Sequence, residues 1–412
     1  MSSYIVIFFT LAVSGLNFLY SMLNTRFLGL SDIGVYSLLV QSINTVVLIS
    51  DFGLSTAFLK FYSVAYNKDK NESERVLKNS FYLKSLISLI LVVVFLIGLP
   101  IIKKHFGVEE KELVLMYTTV FTIGISELLM SKYRSEQKFK KFFIYKFIFS
   151  FLRIIPMGIF YYLGKYDLNA SVNIFAYSTL GIVILLFIEE RKMFEDFSFD
   201  KNFVKELLHF SKWIFVSNIA LAFLTNGTLE LYLLKNFANK EQLGYFSALL
   251  IFFTILNVLN TSLTTLFFPK FAGIEDGKKL KVEVQKAFKT GLVLSLPLLV
   301  LIPFMSLFIK LTIGKGFLGV VNPARVLMIG FFIELSSQVY RLVLYIKANK
   351  KIASINAVQF LGSIVFGYLG IVVLGLGVWG AVISIIIVRV VGAIYMWYSA
   401  EISFEKGVEN NA

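Results

Sequence analysis

Residues 86–99 read LISLILVVVFLIGL, an apolar run without a charged residue. Comparable runs of about 18 residues or more recur from Tyr4 to Ala400, and each is long enough for a helix to cross a hydrocarbon core about 30 Å thick. The strands of a closed barrel would instead be about ten residues long and would alternate in polarity. The sequence therefore predicts an integral membrane protein of the all-α class.

Composition supports the same class over the whole chain. Hydrophobic residues make up 57% of the 412 residues and charged residues only 16%, whereas a soluble domain has roughly a quarter of its residues charged. We predict about twelve transmembrane helices. Their spans are 4–24, 34–59, 81–102, 113–131, 142–163, 170–190, 213–234, 243–268, 287–310, 323–347, 352–375 and 378–400. The last two are separated only by LGLGVWG (374–380), which we interpret as a glycine-rich turn.

Lys and Arg residues in the connections predict the orientation, because cytoplasmic loops carry an excess of them. The segments after the even-numbered spans hold 24 of these residues, whereas the segments after the odd-numbered spans hold 9. This distribution places the even loops and both termini in the cytoplasm. The N-terminal segment lacks the basic region and cleavage site of a signal peptide, so we predict that it is retained as the first helix.

Several functional classes are disfavoured by composition. The chain has no cysteine and only two histidines, His105 and His209, which the spans place near opposite membrane faces. We therefore expect no metal site and no cofactor, and GIEDGKK (273–279) lacks the spacing of a phosphate-binding loop. The net charge of +14 is explained by the topology and by contact with anionic membrane lipids, so we predict no nucleic-acid partner.

An internal repeat predicts two similar halves. Shifting the chain by 210 residues aligns FLGLSDIGVYSLL (27–39) with FANKEQLGYFSAL (237–249), and Gly34 with Gly244. We therefore predict two pseudo-symmetric six-helix bundles, 1–195 and 203–412, joined by a cytoplasmic linker at 196–202. Parallel repeats of this kind are one plan of membrane transporters, in which the substrate site lies at the repeat interface.

Three segments resemble a known family. RFLGLSDIGVYSLLVQSINTVVLISDFGLSTAFLKF (26–61) is similar to the first two helices of the polysaccharide repeat-unit flippases (Wzx type) in the multidrug/oligosaccharidyl-lipid/polysaccharide (MOP) exporter superfamily. VKELLHFSKWIFVSNIA (204–220) and LGYFSALLIFFTILNVLNTSLTTLFFPKFA (243–272) resemble the family's seventh and eighth helices. The resemblance implies a MATE/MOP-like fold.

The same resemblance implies a function. It predicts a flippase that moves a lipid-linked oligosaccharide, carried on undecaprenyl pyrophosphate, from the inner to the outer leaflet of the bacterial cytoplasmic membrane. It also implies a polysaccharide polymerase and a chain-length regulator as partners. The substrate could belong to O-antigen, capsule or exopolysaccharide synthesis.

Ionisable residues inside the spans are the candidate site, because a charge in the hydrocarbon region is costly unless it serves a function. A guanidinium group suits a pyrophosphate, since it donates paired hydrogen bonds and stays protonated. We therefore predict headgroup contacts from Arg26, Arg153, Arg341 and Arg389. Gln338 joins them, because Glu334, Gln338 and Arg341 are spaced i, i+4, i+7 and share one helix face.

Simpler roles for these arginines stay open. Arg26 could extend from a helix end to the membrane surface. Arg153 and Arg389 could each form a structural ion pair with Glu230, Glu334 or Glu127.

Four acidic residues are candidates for ion coupling or charge pairing: Asp51, Glu127, Glu230 and Glu334. Each could exchange a proton or coordinate Na⁺ during transport. Asp51 and Glu127, near the predicted cytoplasmic end, could instead pair with Lys60, Lys132 or Arg134.

Two other functions remain as alternatives. A multidrug or cation exporter of the same superfamily would share the fold but should have an acid-dominated cavity, which the arginines disfavour. A polysaccharide polymerase or ligase needs catalytic groups, generally on a large outer loop, and the predicted outer loops are only about 2–12 residues long. We therefore predict a transporter and not an enzyme.

Overall fold

The computed structural model describes residues 3–66, 68–100, 103, 110–191, 199–224, 227–272, 274, 276–347 and 349–405. Within these ranges the chain consists of helices and short turns without a β-strand. The helices are α1 (Ser3–Asp51), α2 (Leu54–Tyr66), α3 (Lys70–Ile97), α4 (Glu110–Ser135), α5 (Phe139–Tyr162), α6 (Leu168–Glu189), α7 (Lys201–Leu224), α8 (Thr228–Phe237), α9 (Lys240–Ala272), α10 (Gly277–Thr312), α11 (Val321–Lys347), α12 (Asn349–Tyr368) and α13 (Val378–Glu405). A 3-10 turn, Lys315–Val320, precedes α11, and a π turn, Leu369–Val373, extends α12.

Ten helical stretches in the described residues are long and apolar enough to cross a membrane. The first, Phe8–Asp51, has 44 residues, which at 1.5 Å per residue is about twice the thickness of a hydrocarbon core. It therefore corresponds to two predicted spans. The predicted span 213–234 is divided between α7 and α8, which accounts for the twelfth. The prediction of an all-α membrane fold is confirmed.

Two glycines interrupt the first predicted pair of helices. Gly29 has φ 73° and ψ −177° and kinks α1 between the two spans. Gly53, with φ 73°, and Phe52, with φ 48°, separate α1 from α2 inside the predicted span 34–59. A Cβ at Gly53 would lie 2.7 Å from the Ser211 carbonyl oxygen, so only glycine fits this position. The second break was not predicted.

The helix that contains the predicted span 81–102 begins eleven residues before it. Helix α3 begins at Lys70 and is capped by Asp69, whose side chain accepts a hydrogen bond from the Asn71 amide. Val76 and Leu77 on its first turns are buried in a core formed with α2, α4 and α7. Burial of this apolar side explains why the helix extends beyond the membrane span.

Helices α12 and α13 are joined by the predicted glycine-rich turn. Gly375 and Gly377 have φ values of 63° and 56°, which glycine adopts without steric cost. Gly370 and Gly380 bring the two backbones together, since a Cβ on Gly370 would lie 2.9 Å from the Gly380 Cα. Residues 349–405 are thus two antiparallel crossings joined by a tight turn.

Contacts divide the chain into two compact units. The N-terminal unit comprises the described residues up to Tyr20 and those from Val35 to Ala222, and the C-terminal unit comprises Ser21–Gly34 and the described residues from Phe223 onward. In the first, α4 packs against α3 and α6; in the second, α11 packs against α10 and α13.

The contacts divide the chain at different places from the predicted domain boundaries, 1–195 and 203–412. Helix α7 contributes Phe203, Val204 and Leu207 to the core of the N-terminal unit, and for this reason 203–222 belong to that unit. The predicted linker 196–202 lies partly outside the described residues. The two predicted bundles were defined by the sequence repeat and not by contacts. That one bundle superposes on the other remains a prediction.

Helix positions recur at the spacing of the repeat. The first residues of α4, α5 and α6 are followed by those of α11, α12 and α13 after 211, 210 and 210 positions (110 to 321, 139 to 349, 168 to 378). Asp276 caps α10 through the amides of Lys278 and Lys279 as Asp69 caps α3. These correspondences support the 210-residue repeat.

The two aligned glycines of the repeat touch inside the C-terminal unit. A Cβ on Gly34 would lie 3.2 Å from the Gly244 amide nitrogen, and a Cβ on Gly244 would overlap the Leu30 carbonyl. The pair thus allows direct contact of two backbones.

An ion-pair network joins α2, α4 and α6 at the end of the N-terminal unit that the orientation predicts to be cytoplasmic. Tyr62 donates a 2.6 Å hydrogen bond to Glu136, and Lys138 lies 2.6 Å from the same carboxylate. Lys132 bonds to Glu190. Burial opposes ionisation of Glu136, but hydrogen bonds from Lys138 and Tyr62 and the charge of Lys132 outweigh it and lower the pKa of Glu136.

Candidate functional site

A polar pocket lies inside the C-terminal unit, among α11, α12 and α13. Its empty space, including the part open to solvent, is about 220 Å³. Its lining consists of Glu334, Ser337, Gln338, Arg341, Gln359, Arg389, Ala393 and Met396. Two guanidinium groups and one carboxylate therefore face a common space inside the helix bundle.

The pocket brings together residues that the helix spacing had placed on one face. Glu334, Gln338 and Arg341 of α11 all line it, and α13 adds Arg389. These residues share the pocket, and their roles in binding remain predictions. Sequence spacing gave no indication of Gln359 or Met396, because they come from other helices.

Arg389 forms an ion pair with Glu334. Both side chains are largely buried, with exposures of 12% and 13%. The guanidinium group also lies 5.2 Å from the ring centres of Phe253 and Phe331. The structure thus places Arg389 in an ion pair with Glu334, one of the three acids considered for it from the sequence.

Arg341 and Gln338 are less completely paired. The Arg341 Nε donates to the Met396 sulfur at 3.5 Å, which is a weak acceptor. The Gln338 Oε1 is buried and accepts no hydrogen bond from the described residues. Both groups retain capacity to bind a polar ligand.

Glu230 is a second acid of the C-terminal unit and lies near Arg389. Its carboxylate accepts a 2.9 Å hydrogen bond from Ser363 and a 3.5 Å bond from Ser384, and only 2% of the residue is exposed. Two hydroxyl donors and the charge of Arg389 support a buried carboxylate at this position. Its proposed part in ion coupling remains a prediction.

Arg26 lies outside this pocket. Its side chain is exposed, and its Nη1 donates a 2.9 Å hydrogen bond to the Leu311 carbonyl near the end of α10. The last carbonyls of a helix lack partners within it and attract cations. Arg26 therefore stabilises a helix terminus in this structure, while its headgroup contact remains a prediction.

Arg153 has a different environment, in the N-terminal unit. Its guanidinium carbon lies 4.5 Å from the ring centre of Tyr20 and 4.9 Å from those of Phe149 and Phe175. Its Nε is buried without a hydrogen-bond partner among the described residues, and no carboxylate there lies within ion-pair distance of it. Aromatic faces rather than an acid hold this cation.

Asp51 pairs with Lys84, which the sequence analysis did not single out. Lys84 on α3 is fully buried and donates to the Asp51 carboxylate and, at 3.0 Å, to the Ser55 hydroxyl. Ser55 also donates to Asp51. The predicted alternative partner Lys60 instead lies 4.0 Å from the Phe210 ring centre. A buried pair thus spans the break between α1 and α2.

Glu127 is exposed on α4, near the charges of Arg134 and Lys146. Its predicted coupling role is not decided by this position. Among the described residues, no group of three or more His, Asp or Glu side chains is arranged to hold a metal ion.

Solved structures of membrane transporters and of a lipid flippase share the fold of this chain. A multidrug resistance MATE family transporter of the MOP superfamily, in its inward-facing conformation, matches with a TM-score of 0.75 and 14% identity over 98% of this chain and 100% of that chain. Lipid II flippase MurJ matches with a TM-score of 0.76 and 17% identity over 98% and 89%. A MOP superfamily transporter from Pyrococcus furiosus matches at 0.66 and 15% over 99% and 95%. The chain therefore has the fold of a MOP superfamily transporter.

The particular family follows from the sequence. The family model described as polysaccharide biosynthesis protein matches residues 23–322, and the chain belongs to this family. No curated protein matches significantly. Membership confirms the predicted resemblance, and the helices that are long and apolar enough to cross a membrane make the chain a multi-pass membrane protein of a polysaccharide biosynthesis family.

Proposed function

We propose that the chain is a flippase for lipid-linked oligosaccharide repeat units. It moves units of O-antigen, capsule or exopolysaccharide, carried on undecaprenyl pyrophosphate, from the inner to the outer leaflet of the bacterial cytoplasmic membrane by alternating access. Family membership supports the polysaccharide pathway, and the likeness to a lipid II flippase supports a lipid-linked substrate. A polymerase and a chain-length regulator would act on the product.

This proposal depends on which arginines inside the membrane helices are paired with a carboxylate. Arg153 and Arg341 have no carboxylate within ion-pair distance among the described residues, and only Arg389 is held by an acid. Cations at such positions are costly unless an anion compensates them during the cycle. A pyrophosphate offers the oxygen geometry that a guanidinium fork recognises.

The acids have a complementary role in this proposal. Glu334 holds Arg389 while no phosphate is present, and a phosphate that binds Arg389 releases the carboxylate. Glu230 takes no part in this exchange at Arg389. It is the candidate for ion coupling. The cation-exporter alternative would require Glu334 and Glu230, rather than the arginines, to contact the substrate.

Reconstitution in liposomes tests the function directly. We expect purified protein to move undecaprenyl-pyrophosphate-linked oligosaccharide across the bilayer, measured as the fraction of glycan open to an added glycosidase. Protein-free liposomes and liposomes with an unrelated membrane protein are the controls. Equal accessibility in all three preparations would refute the proposal.

Replacing Glu334 by Gln is expected to strengthen binding of undecaprenyl pyrophosphate. The carboxylate competes with phosphate for Arg389, and its loss should lower the dissociation constant by about tenfold, or about 1.4 kcal/mol. Binding of the lipid to protein in detergent measures the effect. Glu334→Asp, which keeps the charge, should bind like the wild type. Weaker binding by the Gln variant would show that Glu334 does not compete with the anion.

Reporter fusions test the proposed orientation. Fusions after residues 75, 137, 200 and 277 should report a cytoplasmic position, and fusions after 108, 166 and 238 an external one, as the distribution of Lys and Arg predicts. Alkaline phosphatase and a cytoplasm-active fluorescent protein provide opposite signals at each site. An external signal at 200 would remove one crossing from the first six.

A further inference from the structure

Helix α5 carries aromatic and cationic side chains alternately along one side. Phe142, Lys146, Phe149 and Arg153 are spaced i, i+4, i+7 and i+11, so they lie within about 60° of one another around the helix. We call these four residues the cationic row. It extends for about 16 Å along the helix axis, from the predicted cytoplasmic end of the span 142–163 to its middle.

The cationic row lies on the side of α5 that is turned to the protein. On the opposite side, Ile144, Phe151 and Ile155 are 46%, 45% and 55% exposed, as suits a side in contact with lipid, whereas all four members of the row are half-buried. The guanidinium group at the deep end of the row contacts the rings of Tyr20 on α1 and Phe175 on α6. The cations therefore face the interior of the N-terminal unit, as ionisable groups inside membrane helices usually do.

Arg134 on α4 extends the row toward the predicted cytoplasmic face. Its guanidinium carbon lies 5.6 Å from the ring centre of Phe142, and the Lys146 Nζ lies 5.8 Å from the same centre. Lys146 in turn interacts electrostatically with Arg153. Glu127 is the acid whose charge acts on Arg134 and Lys146, but it forms an ion pair with neither among the described residues. The two cations thus share one nearby carboxylate without being neutralised by direct contact.

The spacing of these cations suits the stepwise movement of a phosphate. Lys146 and Arg153 are about 10 Å apart along the helix axis, which is close to the Debye length of about 8 Å at physiological ionic strength. A phosphate that leaves one cation therefore already feels the next. Without an intermediate cation, an anion bound for Arg153 would cross the inner part of the membrane uncompensated. Lys146 binds phosphate as a point charge and lacks the fork of Arg153, so it holds the anion less firmly.

We propose that the cationic row, together with Arg134, is a track along which the pyrophosphate of the lipid-linked substrate moves from the cytoplasmic membrane surface to Arg153. The inference rests on the proposed function and adds the route by which the headgroup reaches its site. The aromatic members hold the cations in line without neutralising them, because a ring carries no net charge. Phosphates of ordinary anionic lipids share this chemistry, so the test separates the two sources.

Transport kinetics in liposomes test the track. We expect Lys146→Gln to lower kcat/KM for undecaprenyl-pyrophosphate-linked oligosaccharide by about tenfold and to change the rate at saturation by less than about twofold, because slower loading matters only when substrate is scarce. The dissociation constant of undecaprenyl pyrophosphate should change by less than about twofold, since a route affects how fast the headgroup binds and not how tightly. Added salt should lower kcat/KM more steeply for the wild type than for the variant.

Matched variants separate the track from a general effect of charge. Lys140→Gln removes the same charge from the same helix, but Lys140 is exposed and lies about 160° around α5 from Phe142, so it should transport like the wild type. Lys146→Arg keeps the charge and should retain most of kcat/KM. Arg134→Gln is an independent variant at an exposed position and should lower kcat/KM as Lys146→Gln does, even if the latter variant fails to insert.

The outcomes separate this inference from the proposed function. If the wild type transports while Lys146→Gln and Arg134→Gln behave like Lys140→Gln, the track is refuted and the proposed function stands. A tenfold weaker dissociation constant would make Lys146 part of the final binding site and overturn the route. A defect that appears only when phosphatidylglycerol is added to phosphatidylcholine liposomes would assign the row to ordinary anionic lipid instead. A wild-type protein that transports no substrate would refute the proposed function and, with it, the track.

Discussion

Replacing Arg153 by Ala is expected to reduce export at least about hundredfold, a loss of about 2.7 kcal/mol, with the protein still inserted. The guanidinium group is held by three aromatic rings and has no carboxylate within ion-pair distance among the described residues, so a substrate phosphate would be its anionic partner. Removing it would leave that phosphate uncompensated at membrane depth. Glycosidase accessibility in liposomes measures the rate.

Conservative substitutions of Arg153 distinguish a loss of phosphate binding from a loss of packing. Arg153→Lys keeps the charge and loses the planar fork, so it should retain part of the activity. Arg153→Met fills much of the same volume without charge and should behave like Ala. If correctly inserted Arg153→Ala and Arg389→Ala variants both export at the wild-type rate, the cationic mechanism is wrong and the acidic-exporter alternative becomes the better one.

Replacing Lys84 by Met is expected to destabilise the N-terminal unit by about 3–5 kcal/mol, because it leaves the buried Asp51 carboxylate without its cation. Lys84 is fully buried and Asp51 is 6% exposed, so water cannot substitute for the lost partner. Thermal unfolding in detergent, followed by loss of soluble monomer, measures the change. The double variant Asp51→Asn with Lys84→Met should regain most of the stability.

The matched control is an exposed pair of the same unit. Lys141 and Glu189 form an ion pair with side-chain exposures of 49% and 38%, and Lys141→Met should cost only about 0–1 kcal/mol. Equal losses in the single Lys84 variant and the double variant would show that Lys84 acts through packing and not through its charge.

The fold was predictable because the dominant signal is local. Apolar length alone defines a crossing, so every predicted span has a counterpart in the helices. The breaks were harder to predict, since Asp51-Phe52-Gly53 lies inside an apolar stretch that is long enough to be read as one span. The break depends on the approach of Ser211 to Gly53, which is a tertiary contact. In contrast, the start of α3 could be predicted locally. Asp69 is a typical helix-capping residue, and Val76 and Leu77 form an apolar side of the helix that follows it.

The candidate site was predictable only within single helices. The spacing of Glu334, Gln338 and Arg341 fixes their common side, because helix geometry is set by sequence distance. Which acid pairs with which arginine depends on helix packing, so Arg389 and Glu334 were left with several alternatives. The sequence also carries a signal for Lys84, since Ser80 and Ser88 lie one turn away on each side and place three polar side chains on one face of an apolar helix.

The buried pair of Asp51 and Lys84 also bears on how the chain enters the membrane during synthesis. A lone charge at the centre of an inserting helix costs about 2.5–3.5 kcal/mol, and Asp51 and Lys84, which lie toward the cytoplasmic ends of their predicted spans, each carry part of this cost. The first to emerge from the ribosome contains Asp51, and its partner arrives only 33 residues later. Release of the earlier helix into lipid is therefore favoured once the later one is beside it. The two should leave the insertion machinery together, as a neutral hairpin.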